Sequence, residues 1–211
     1  MATGTEKQRF ERSIERLRSL GWKIQGPREI EHRGAGLIFS NRIDHYFGGN
    51  GELRENIPFN WALGMPSKVQ AEFARENLVA RIDLRSESGR GEGEVLAGRA
   101  GDSDLCRIAQ SFRRLEELGY IAEPDFSYTN SSGWQDIHER SRGDTKAVFW
   151  NSQSHTDCFD TDGMLIDDMP IQWSGDPGEI LTALRETGLT VDAPENSKVA
   201  FYIGPPEEET T

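Results

Sequence analysis

The chain has 211 residues, with 36 acidic and 24 basic side chains, a net charge of −12 and a hydrophobic fraction of 35%. Trp, Phe, Ile and Leu recur along its whole length, which excludes wholesale disorder, while the negative charge disfavours unassisted binding to a phosphate backbone. No run approaches the ~18 apolar residues that a membrane span needs, and two cysteines, Cys106 and Cys158, are too few for a disulfide scaffold.

The N-terminal segment carries no apolar stretch of the signal-peptide kind, so the expected setting is the cytoplasm, with reduced thiols. Residues 6–20 predict a helix: Phe10, Ile14, Leu17 and Leu20 fall at helical spacing, and Gly21 can stop it in a left-handed conformation. The basic cluster Arg12–Arg18 reads as the solvated face of that helix rather than a nucleic-acid site. Trp22–Ile24 begins an extended segment, and Leu37–Phe39 reads as a buried strand. The loop 41–56 contains Gly48, Gly49, Asn50 and Gly51, which permit a tight reversal. A strand at Ile57–Leu63, a helix opened by Pro66 and a strand at Leu78–Leu84 complete a first unit over 1–85. Residues 86–102 are rich in Gly and charge and read as a linker.

A second unit is expected over 103–204. Ser103 is a plausible N-cap for a helix carrying Leu105, Ile108, Phe112 and Leu115. Strands are expected at Ala147–Trp150 and Met164–Trp173, then a helix from Pro177 to Gly188, then strands at Leu189–Val191 and Val199–Ile203. Residues 205–211 read as a disordered tail.

The two units read as copies. Phe39 answers Phe149, Asn41 answers Asn151 and His45 answers His155, each 110 positions apart. Phe47 answers Phe159, Gly51 answers Gly163, Leu53 answers Leu165, Pro58 answers Pro170 and Trp61 answers Trp173, each 112 apart. Arg16-Leu17-x-x-Leu20-Gly21-Trp22 recurs 98 positions on as Arg114-Leu115-x-x-Leu118-Gly119-Tyr120, so the second copy holds an insertion of 12 residues within 125–143. The expected fold is α+β: two tandem helix–strand–loop–strand–helix–strand units with antiparallel sheet pairing. Equivalent residues should then occupy equivalent places, because strand faces alternate with period two.

The second copy carries Asp125-Phe126, Gly133-Trp134-x-x-Ile137, Ala147-Val148-Phe149-Trp150-x-x-Gln153, Gly163-Met164-Leu165 and Glu179-Ile180-x-x-Ala183-Leu184-x-x-x-Gly188-Leu189-x-Val191. This succession, over about 104–204, resembles an actinobacterial-type bacterial domain family of unknown function. The resemblance implies a consistent fold and a bacterial source, but no activity. Many members have a cysteine pair after the Asp-Phe; here Ser127–Ser132 contains none, so any thiol or metal role for that pair is absent.

Chemistry-bearing residues concentrate in the two loops. Asn151 and His155, like Asn41 and His45, directly follow a predicted strand, and His can act as acid, base or ligand with Asn orienting it. The competing reading is that both residues bond loop backbone. Cys158 beside His155 suggests a Cys/His nucleophile, although a lone Cys next to Phe159 is commonly a small buried hydrophobe. His155, Asp157, Asp160 and Asp162 form a weak cation-site candidate: Asp160-x-Asp162-Gly163 imitates part of a calcium loop, but Cys158 and Met169 stand where that loop needs acidic residues. Asn41, His45, Trp61, Gln153 and Trp173 are binding candidates. No cofactor motif is present, and no nucleic-acid or membrane partner is expected. The composition favours a non-catalytic binding or adaptor protein with a protein partner; the alternative is a hydrolase, with or without metal assistance, built on 151–163.

Overall fold

The computed structural model describes residues 3–26, 34–39, 42–86, 88–141, 145–196 and 198–205. Its elements form two series. The first runs α1 (Glu6–Ser19), β1 (Lys23–Gln25), β2 (Gly36–Phe39), a 3-10 turn (Ile43–Tyr46), β3 (Ile57–Ala62), α2 (Pro66–Arg75), β4 (Ala80–Ile82) and β5 (Arg90–Val95). The second runs α3 (Asp104–Glu117), β6 (Ile121–Glu123), α4 (Asn130–Arg140), β7 (Ala147–Phe149), α5 (Ser152–Cys158), β8 (Met169–Ser174), α6 (Pro177–Arg185), β9 (Thr190–Asp192) and β10 (Phe201–Gly204). Each series builds a five-stranded sheet, ordered β1-β2-β3-β5-β4 and β6-β7-β8-β10-β9, so the two sheets share one topology. The fold is α+β, but the sheets are mixed. The pairs β1–β2 and β6–β7 are parallel, and all others are antiparallel.

The duplication survives at the level of caps and turns. Thr5 caps α1 through the Gln8 amide, and Ser103 accepts from the Cys106 amide at the start of α3. Gly51 and Gly163 both have φ of 78°, and their carbonyls accept from the Lys7 and Leu105 amides at 2.9 and 3.0 Å. Gly21 and Gly119 end α1 and α3 at φ of 88° and 85°. Phe47 bridges Leu53 as Phe159 bridges Leu165. Trp61 pairs with Leu37, and Trp173 pairs with Val148.

That last register corrects one expected equivalence. Leu37 matches Val148, so Phe39 matches Trp150, and Phe149 matches Ile38. Phe39 and Trp150 both point to the helix-covered face, whereas Phe149 points to the other. A one-residue shift flips a strand's side chains, and two neighbouring aromatics in β7 and its continuation hid that shift in the sequence.

Residues 86–102 are not a linker. β5 lies inside the first sheet, paired to β3 on one side and β4 on the other. Its glycines are required by close approach. A Cβ on Gly93 would stand 2.6 Å from Phe59 Cζ, and one on Gly91 would stand 2.9 Å from Trp61 Nε1. Arg90, Glu92 and Glu94 alternate on the opposite face. The chain divides instead into a unit of Met1–Cys106 with Thr161–Gly163, and a unit of Arg107–Asp160 with Met164–Thr211.

The first unit's core is an aromatic chain on the helix-covered face. Phe10 of α1 meets Phe39 and Phe47 at 5.8 Å and Phe73 of α2 at 5.4 Å, while Phe59 meets Phe39 at 6.0 Å. In the second unit Phe112 of α3 packs on Trp150 at 4.9 Å. That unit has another cluster on the opposite sheet face. There Phe126, Ile137, Ala147 and Phe149 are buried, and the half-buried Ile121 and Trp134 pack against them. The insertion supplies it: α4 lies with Trp134 at 5.1 Å from Phe149, and a Cβ on Gly133 would come within 2.5 Å of that ring. The expected tail beyond Pro205 falls outside the described residues.

Candidate functional site

The segment 151–163 is an α-helix followed by a turn rather than an open loop. Asn151 is the N-cap of α5: its Oδ1 accepts from the Ser154 amide at 2.9 Å, and its Nδ2 donates to Asn130 Oδ1 at 2.6 Å. Ser152 holds the Ser127 carbonyl through both its amide, at 3.1 Å, and its hydroxyl, at 3.0 Å.

His155 is fully buried, and its Nδ1 accepts from Trp150 Nε1 at 3.1 Å. An indole N–H only donates, so Nδ1 carries the lone pair and the ring proton sits on Nε2. Asp125 Oδ1 stands 3.9 Å from Nδ1, and the Phe159 ring lies 4.9 Å from the imidazole. This is a buried polar pin under α5.

Cys158 is buried and donates to the Asp168 carbonyl at 3.4 Å. Burial, with the charges of Asp167, Asp157 and Asp168 around it, pushes the thiol up to about 11. A thiol held that far above neutral pH is a poor nucleophile.

The acidic residues disperse. Asp157 is exposed, and Asp160 Oδ1 accepts from the Met164 amide at 2.8 Å. Asp162 takes a two-point contact from Arg81, at 2.6 and 2.8 Å, and the guanidinium lowers its carboxyl below the usual range. Among the described residues no group of three or more His, Cys, Asp and Glu is gathered for a cation.

The binding candidates also separate. His45 is exposed on the 3-10 turn two residues before Phe47, whereas His155 is buried four residues before Phe159, so their expected equivalence fails. The loops differ in helix length where the two-residue slip falls. Asn41 lies outside the described residues. Gln153 is exposed. Trp173 packs on Phe201 at 5.4 Å and donates to the Val199 carbonyl at 2.8 Å. Trp61 is 1% exposed, with no acceptor at Nε1 among the described residues.

Trp61 does border a groove that the sequence pattern did not reveal. The outer face of the first sheet carries a cavity of about 600 Å³, lined by Lys23, Ile38, Asn60, Ala62, Leu63 and Arg90, among others. Leu63 is 61% exposed and held at φ 56°, a left-handed conformation that is unusual for Leu. The one signal available in sequence was Ile38, an apolar residue between the two inward positions Leu37 and Phe39. The backbone strain at Leu63 leaves no such trace.

The chain was compared with protein-family models, with curated proteins and with solved structures, and nothing matches it.

Proposed function

We propose that this is a non-catalytic binding or adaptor protein of a bacterial cytoplasm, and that its ligand surface is the outer face of the first sheet. The observation that carries the proposal is a contrast. His155, Cys158 and Asn151, on which a hydrolytic reading rests, are each spent on packing or hydrogen bonds. The first sheet instead presents an apolar groove rimmed by charge, with an exposed Leu63 at its edge. A net charge of −12 keeps nucleic acid out of the reading.

The test is variant-dependent capture. The full chain, tethered and exposed to lysate, should recover a stoichiometric protein that Ile38→Asp releases and Gln153→Ala retains. Equal recovery by wild type and Ile38→Asp, or hydrolysis of a substrate panel abolished by His155→Gln without loss of fold, would contradict it.

A further inference from the structure

From the pairing of the two sheets, and resting on the binding role just proposed, we infer that the groove of the first sheet receives an amphipathic α-helix from a partner protein. The second repeat supplies the template. Strand registers place Lys23 opposite Gly36 as Ile121 lies opposite Ala147, and Ile38 takes the position of Phe149. On Ala147, Phe149 and Ile121 the second repeat seats its own helix, α4, through Gly133, Trp134 and Ile137. The corresponding face of the first repeat holds Gly36, Ile38, Asn60 and Ala62, and there the groove of about 600 Å³ lies.

The β1–β2 connection is short, 26–35, where the β6–β7 connection, 124–146, contains a helix of 11 residues. One sheet face is thus closed in cis, and among the described residues its counterpart offers the same strand geometry without a helix of that length.

Side-chain differences state what would fit. Gly36 and Ile38 take less room than Ala147 and Phe149, so the incoming helix brings the larger residue, an aromatic or Leu at i with an apolar neighbour at i+3 or i+4. At the rim of the α4 template Arg140 contacts Glu123 at 3.2 Å. In the first repeat the position of Glu123 is Gln25, and among the described residues Arg90 lies on the rim beside Glu92. The acid that meets Arg140 is therefore missing from the first repeat, and the complementary helix bears Asp or Glu on the flank that meets Arg90. Leu63 gives the helix an exposed apolar contact at the groove mouth.

The experiment selects binders to the full chain from two displayed peptide libraries of equal length. One fixes a helical scaffold with a randomised face, and the other holds Pro-interrupted, extended sequences. Helical binders should dominate, be enriched for acidic residues beside an aromatic or Leu, and lose at least tenfold in affinity with both Ile38→Asp and Asn60→Trp. The second variant fills the groove from an exposed position and leaves the core intact, and a circular dichroism spectrum identical to wild type confirms its fold. Dominance of extended binders overturns the helix. So does failure of both libraries while lysate capture still depends on Ile38, and in that case the binding role itself stands. Failure of both libraries together with Ile38-independent capture removes the role as well.

Discussion

Three glycines in left-handed conformations offer a graded test of the packing. Gly21, Gly163 and Gly51 have φ of 88°, 78° and 78°. Replacing any of them by Ala costs about 1 kcal/mol for the backbone conformation alone. At Gly21 nothing lies within 4 Å of the new Cβ, so the cost stops there. At Gly163 the Cβ meets Leu105 Cβ at 3.1 Å, a contact that a small shift can relieve, and the total should be about 1–2 kcal/mol. At Gly51 it meets Thr5 Oγ1 at 2.7 Å and Thr5 Cβ at 2.8 Å. The stem of Thr5 cannot swing away without withdrawing the cap of α1, worth about 1 kcal/mol. The Lys7 amide would also lose the Gly51 carbonyl, a further contribution of about 1 kcal/mol. Gly51→Ala should therefore cost about 3–4 kcal/mol. Urea unfolding of the full chain, followed by tryptophan fluorescence, reads the order Gly51 > Gly163 > Gly21 from midpoints at constant slope. Adding Thr5→Gly to Gly51→Ala should recover part of the loss as a coupling between the two sites. A Gly51→Ala protein no less stable than Gly21→Ala would refute the cap-and-turn geometry, and with it the basis for equating the two repeats.

Other outcomes follow from the same physical picture. His155→Leu keeps the volume but strands the Trp150 N–H, and should cost about 2–3 kcal/mol; a change below ~0.5 kcal/mol would show that the hydrogen bond contributes nothing. Asn151→Ala removes the cap of α5 and its bond to Asn130, an expected loss of about 1–2 kcal/mol by chemical denaturation. Cys106 and Cys158 are both buried thiols pushed up to about 11, so both should resist alkylation at pH 8 in the native chain and react promptly in urea; rapid native labelling of Cys158 would revive a nucleophile there. The same shifts set an alkaline limit. The folded thiols hold their protons above the ordinary value of 9, so their contribution is complete below pH 9. It is lost as pH rises toward 11, which a thermal-stability profile over that window detects.

Much of the architecture was legible because it rests on local signals. The helical stripes of α1 and α3, the stops at Gly21 and Gly119, and the repeated Gly51/Gly163 turns all follow from residue type and spacing. Three features escaped for identifiable reasons. β5 reads as a linker because two of its three inward residues are Gly91 and Gly93, with only Val95 apolar and bulky, and the apolar mass that would mark a strand belongs to Trp61 and Phe59 on the neighbouring strand. α4 escaped because Asn130–Arg140 buries only Gly133 and Ile137 fully, too sparse a stripe to announce a helix. His45 and His155 read as a pair because loop length, rather than residue identity, decides whether the imidazole is exposed, as His45 is before Phe47, or buried against the ring, as His155 is against Phe159. The site was the least legible part. A groove is a gap between elements, and only the comparison of two folded sheets shows where, among the described residues, the counterpart of α4 is missing.

The claim that the first sheet's outer face binds a partner is tested most directly by site-specific photocrosslinking in the cell of origin. A photoreactive phenylalanine analogue at Asn60, in the groove, should trap one protein in a discrete adduct that Ile38→Asp abolishes. The same analogue at Gln153, on the exposed side of α5, should trap none. An adduct formed at Gln153 and absent at Asn60 would place the working surface on the 151–163 segment and contradict the account.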